Sequence, residues 1–147
     1  LMAHVRTQLR DWLKANLTGS ADAGSRVHVR RALPLEKDLA PTLLISIKAD
    51  RSADRSMDGL QVREVQVRIT ACTKDDSEAG EDTLDALGVF VEGKFAANPT
   101  LGGVAETYEY QSTEFAFNGG AEQTLCTAAF TFAVTLQTMR GDPETAL

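Results

Sequence analysis

The stretch QTLCTAAFTFAVTLQT, residues 123–138, alternates along almost its whole length. Cys126, Ala128, Phe130, Phe132, Val134 and Leu136 fall on one face, and Thr127, Thr131 and Thr135 on the other. Such a period of two predicts a long strand with one buried face and one polar face. Residues 104–117, rich in Tyr, Thr and Phe, precede it, and Asn118-Gly119-Gly120 separates the two runs. Asn-Gly turns match the twist of paired strands, so these runs predict an antiparallel hairpin. A ribbon of this kind cannot fold alone. Its apolar face must be covered by another layer.

Two segments have the pattern of that cover. In AHVRTQLRDWLKANL, residues 3–17, Val5, Leu9, Trp12, Leu13 and Leu17 recur at three- and four-residue steps, as on one face of a helix. Thr18-Gly19-Ser20 ends it. A second helix is expected over residues 76–97. Asp76 or Ser77 caps it, Glu78, Glu81 and Asp82 suit the positive end of its dipole, and Asn98-Pro99 stops it. Leu84, Leu87, Val91 and Phe95 form its apolar stripe.

Three further strands are expected. RVHVRRA, residues 26–32, alternates, and a loop bounded by Pro34 and Pro41 follows. TLLISIKA, residues 42–49, places Leu43, Ile45 and Ile47 on one face. Residues 60–73 place Val65, Val67, Ile69 and Ala71 on one face. Leu60 and Val62 are out of phase with Val65, which predicts a bulge or twist near Arg63-Glu64. DRSADRS, residues 50–56, then reads as the long polar connection of a hairpin, longer than the usual two to five residues. The order α-β-β-β-α-β-β predicts an α+β fold, a mostly antiparallel sheet of about five strands covered by two helices. Its 147 residues suit one domain, residues 1–147, with 139–147 as a flexible C-terminal tail.

The formal net charge of −6 argues against a nucleic-acid-binding domain, whose footprint is a basic excess, and against docking on an anionic membrane. No apolar run reaches the roughly 20 residues of a bilayer span. The polar N-terminal region does not have a signal peptide's plan, Met2 reads as the natural start, and the cytoplasm is the expected compartment. Cys72 and Cys126 lie in separate strand-like runs without a CxxC pair, and only His4 and His28 stand beside them as soft ligands. Buried free thiols are therefore expected, with neither a metal nor a cofactor. A Cys72–Cys126 bridge would require those strands to be neighbours. Neither histidine lies near a nucleophile signature. The acidic residues of 75–85 do not follow a calcium loop's spacing, and Gly102-Gly103 and Gly119-Gly120 do not extend to a phosphate-binding loop. Asn16-Leu17-Thr18 and Arg140-Gly141-Asp142 are read as chance matches to a glycosylation acceptor and an adhesion tripeptide. An enzyme is not expected. The rival reading, a small-molecule-binding or enzymatic α+β domain, has Tyr108, Tyr110 and Trp12 but no convergent polar set.

In order and length of elements the chain resembles the tail terminator proteins of long-tailed bacteriophages, the lambda-like minor tail proteins. The resemblance spans residues 3–138. It includes the opening helix, RVHVRRALPLEKDLAPTLLISI, the charged hairpin, TKDDSEAGEDTLDAL, the strand YEYQSTEFAF and the closing Thr-alternating strand. It is a pattern of elements, with no diagnostic motif, and other phage neck, head–tail joining and tail tube proteins share its plan. The resemblance implies a hexameric ring on the head-proximal end of the tail tube, which stops tube growth and joins the capsid connector. It implies a virion component assembled in the host cytoplasm, without catalysis or cofactor. Its partners would be copies of itself, the tube protein and the connector protein, with DNA passing through the lumen unbound. On physical grounds the lumen is expected to have no net positive charge, since a basic one would trap phosphates. The interaction residues expected are Asp50, Arg51, Asp54 and Arg55, which would set register at a rim, and Arg30 and Arg31, which with Arg26 would form either a docking edge or a charge-guarded edge strand.

Overall fold

The computed structural model describes residues 3–29, 41–74, 77–119 and 124–147. Two helices, α1 (Val5–Leu17) and α2 (Glu78–Ala97), accompany five strands: β1 (Val27–Val29), β2 (Thr42–Asp54), β3 (Leu60–Thr73), β4 (Thr107–Gly119) and β5 (Thr124–Met139). The strands form one sheet in the order β1-β2-β3-β5-β4. Only the β1–β2 pair is parallel. This is the expected α+β arrangement and element order.

The alternation read from the sequence is the burial pattern of the sheet. Leu43, Ile45, Val65, Val67, Ile69, Ala128, Phe132, Val134 and Leu136 are fully buried on one face. Val5, Leu9, Leu13 and Leu17 of α1, and Leu84, Leu87, Val91 and Phe95 of α2, join them in a single core. Phe95 stacks flat on Phe132 with ring centroids 3.9 Å apart, and Tyr108 meets Phe95 edge-on at 5.2 Å. A Cβ at Gly88 would stand 3.2 Å from the Phe130 ring, so the absent side chain lets α2 lie close to β5. Trp12, half-buried, packs against this core from α1. Gly102, at φ +75°, abuts its indole, and a Cβ there would come within 2.4 Å of Trp12.

Four features differ from the expectations. The hairpin connection is short. β2 runs on to Asp54, and only residues 55–59 form the turn, closed by an Arg55 N–H bond to the Leu60 carbonyl at 2.7 Å. The bulge lies on the other strand of that hairpin. β3 pairs with β5 without a break from Leu60 to Thr73, while the β2 register shifts between Ile47 and Ala49. A second shift falls between Tyr110 and Ser112 of β4. Third, residues 139–147 are tied to the body. The Val5 N–H donates to Pro143 O at 2.7 Å, the Gln8 amide to Glu144 O at 2.7 Å, and the Leu147 N–H to Gln137 O at 2.9 Å. Fourth, Arg26 does not present a docking edge. Its guanidinium donates to the carbonyls of Pro41 (2.9 Å) and Asp22 (2.7 Å) and braces the start of β2. Cys72 and Cys126 are buried and not in a disulfide. β3 and β5 are neighbours, but Cys126 is opposite Thr73 and Cys72 opposite Thr127, which sends the two side chains to opposite faces.

Replacing Gly102 with Ala puts an L side chain at positive φ and pushes it into the indole. We expect a loss of about 1–3 kcal/mol. Trp12 is the sole tryptophan, so its emission should move to longer wavelength as the ring is displaced. A variant with unchanged melting midpoint and emission would mean that this contact does not hold the ring.

Candidate interaction surface

The bulge at Lys48 decides what the far end of β2 presents. Ile47 faces Val67, but the extra residue then sets Ala49 against Gln66 and Asp50 against Val65. The even-numbered residue Asp50 thereby lands on the helix-covered face, where Leu43, Ile45 and Ile47 had been the odd-numbered core. Asp50 Oδ2 accepts from Arg63 Nη1 of β3 at 2.9 Å and from Arg6 Nη1 of α1 at 3.0 Å. Its side chain is only 8% exposed and that of Arg63 14%. Arg63 Nε donates to the Thr138 hydroxyl at 3.0 Å, which links β3 to β5. One buried carboxylate thus joins the start of α1 to two strands. Its Oδ1 has no hydrogen-bond partner among the described residues.

His4 lies beside this centre. The imidazole Nδ1 caps α1 by accepting the Arg6 N–H at 3.1 Å. Burial, followed by the Arg6 and Arg63 guanidiniums, pushes the His4 pKa below its ordinary value, and Asp50 opposes this only in part. The neutral ring is the form that can accept the capping bond. Between α1 and β2 lies a cleft of about 390 Å³ lined by His4, Arg6, Thr7, Arg10 and residues 47–50.

Further along, Asp54 pairs with Arg140 at 2.8 Å and accepts from Gln61 at 3.2 Å, all at an exposed position. With both aspartates engaged inside the chain, Lys48, Arg51 and Arg55 remain exposed and make no ion pair among the described residues.

The opposite edge of the sheet has a different character. β4 pairs only with β5, so its outer edge is unpaired among the described residues. Past its bulge, Phe115 and Phe117 stand opposite Ala128 and Cys126 on the helix side, yet they are 62% and 64% exposed. α2 does not reach far enough to cover them. Glu109 and Glu114 point to the helix-free face, and residues 107–119 include no Lys or Arg. That helix-free face is a half-open trough of about 460 Å³ reaching from Ser46 and Lys48 across Arg68 to Thr127 and Glu114. No group of three or more His, Cys, Asp or Glu side chains suited to a metal occurs among the described residues.

Of the expected interaction residues, Arg30 and Arg31 lie outside the described residues. Asp50, Arg51, Asp54 and Arg55 gather at the tip of the β2–β3 hairpin, but Asp50 is not a rim group. It is an internal counter-ion, because the bulge turns it under α1. Phe115 and Phe117 were missed as a surface because alternation in YEYQSTEFAF shows that two aromatics share a face, not that the helix above stops short. Glu109 and Glu114 were legible in the sequence as the only charges of an otherwise uncharged strand.

No protein-family model matches the chain, and no curated protein matches it. Among solved structures it is similar to a chain of the virion of a native gene transfer agent particle, at 17% identity and a TM-score of 0.37, over 92% of this chain and 94% of that one. A likeness of that degree does not fix function.

Truncating Asp50 to Ala leaves Arg63 buried beside Arg6 with no counter-ion. We expect about 3 kcal/mol of destabilisation in chemical denaturation, against less than about 1 kcal/mol for Asp54→Ala at the exposed pair. Equal effects at the two positions would refute the assignment of Asp50 as the internal hub. For His4 the depressed pKa means that, as pH falls below 6.5, the unfolded chain takes up a proton that the folded chain resists. Stability should therefore drop with falling pH in that window, and His4→Ser, which keeps a capping oxygen, should flatten the slope. Superimposable stability–pH curves for the two proteins would count against it.

Proposed function

We propose that this chain is a structural subunit of a phage-like virion tail. In this reading it assembles with copies of itself into a ring, hexameric by the resemblance, at the head-proximal end of the tail tube. It stops tube growth there and joins the tail to the connector on the capsid. It works as a surface and not as a catalyst, and DNA passes through its lumen without being held. The observation that supports this best is the edge strand β4, which leaves Phe115 and Phe117 uncovered in an otherwise well-buried domain. Long unpaired edges with exposed aromatics are a hazard in a monomer and a means of association in an assembly. The element order shared with tail terminators supplies the particular assembly. A tube subunit is the second reading, since the outer edge of β4, unpaired among the described residues, also suits an open polymer.

Light scattering of the purified protein should give one discrete oligomer at high concentration. Negative-stain images with tubes of the cognate tail protein should show one tube end capped and elongation blocked. Open-ended filaments of this chain alone would favour the tube reading. A protein that leaves tube growth and tube ends untouched would overturn the terminator.

A further inference from the structure

The outer edge of β4 is ringed by carboxylates with no cation on the strand to answer them. We infer that residues 112–117 take in a basic, extended segment of a different virion protein, which adds to the sheet as a further strand; this rests on the virion reading proposed above and names the kind of partner for its open edge. β4 ends the sheet and pairs only with β5, so its outer edge is unpaired among the described residues. The register shift between Tyr110 and Ser112 leaves the stretch beyond it as the regular part of that edge. Backbone donors and acceptors along such an edge are a template for an incoming strand.

The side chains define what that strand must carry. Glu114 lies on the helix-free face, opposite Ala129, while Phe115 and Phe117 lie on the helix side, opposite Ala128 and Cys126. The two rings border a shallow depression of about 180 Å³ that Leu84 and Glu81 of α2 also line. Glu81 is exposed, as are Glu78, Asp82 and Asp85 in the same part of α2. Neither these carboxylates nor Glu114 form an ion pair among the described residues, and residues 107–119 include no Lys or Arg. An added strand keeps the pleat, so its side chains alternate between the two faces. One register then meets every requirement. A Lys or Arg opposite Glu114 puts the residues on either side of it opposite Thr113 and Phe115, on the helix side, and the next residue on that side falls opposite Phe117. Apolar side chains at those positions cover the two rings and fill the depression. The exposed carboxylates of α2 draw the cationic segment in and disfavour an acidic one. The same charges argue against β4 of a second copy as the occupant. That pairing would bring the acidic surroundings of two edges together in a chain whose net charge is already −6.

Synthetic peptides test the assignment against the full chain. Thr-Lys-Val-Lys-Val-Lys-Thr alternates basic and apolar residues, Thr-Glu-Val-Glu-Val-Glu-Thr alternates acidic and apolar ones, and Thr-Lys-Lys-Lys-Val-Val-Thr has the composition of the first without its alternation. With each peptide labelled and binding followed by fluorescence anisotropy, the first should bind roughly tenfold or more tightly than the other two. Its binding should slow hydrogen exchange of the backbone amides within residues 112–117. Glu114→Lys should lower the ratio of basic to acidic peptide affinity roughly tenfold, and Phe115→Thr with Phe117→Thr should weaken the first peptide to the level of the unalternated one. All three residues are exposed, and melting curves check that each variant folds. Should the aromatic variant fail to fold, Glu114→Gln with the exchange measurement carries the comparison. Equal binding of the two basic peptides would reduce the effect to bulk charge and sink the strand pairing, as would the absence of binding or an exchange pattern unchanged over residues 112–117. Self-association of the wild-type chain that the aromatic variant abolishes would give the edge to a second copy and overturn the inference equally. None of these results touches the terminator reading, which is decided separately on tail tubes.

Discussion

An antiparallel sheet with one apolar face needs a single layer of helix over it, and the rest of this molecule is arranged around that need. α1 and α2 lie on the same side, and their buried stripes meet the odd-numbered residues of β2 and β3 and the even-numbered residues of β5 in one core. At roughly 25 cal/mol per Å² of apolar area this burial is the main favourable contribution to folding. The stack of Phe95 on Phe132 and the missing side chain at Gly88 fix how closely α2 approaches. Whatever the helices fail to reach stays at the surface, and that is how Phe115 and Phe117 come to be exposed.

The Lys48 bulge is the second organising feature. One extra residue turns β2 over, so a carboxylate replaces an apolar side chain under the beginning of α1. A lone buried charge would be costly, but Asp50 meets two guanidiniums, from a helix and from a neighbouring strand. Burial, followed by the same pair of arginines, lowers the His4 pKa and so favours the neutral ring that accepts the N-cap bond. Capping, charge pairing and strand phase are thus one coupled arrangement. It also withdraws Asp50 from the surface of the hairpin, where Arg51 and Arg55 stand exposed.

Function in this molecule, as we read it, resides in what the covering layer omits. One sheet edge, β4, is acidic and exposes two aromatics. A monomeric protein would blunt such edges with short strands or opposed charges. The 13 residues of β4 do the reverse.

Most of the fold was legible in the sequence. Side-chain alternation in residues 123–138 and 60–73, and three- and four-residue spacing in α1 and α2, are local periodicities that burial acts on directly, so element order and core faces follow from them. The register of β2 was not legible, because a bulge adds one residue without a marked residue type, and DRSADRS then looks like a loop when its first five residues are strand. The charge pattern showed aspartate beside arginine at 50–51 and 54–55, but local order cannot show that Asp50 would pair with Arg6, 44 residues away, and with Arg63. Nor can periodicity tell how far a helix extends over a strand, which is why the uncovered aromatics of β4 were settled by tertiary packing alone. Local propensity determined the pieces; which charges are spent inside and which stand free was decided only when distant segments met.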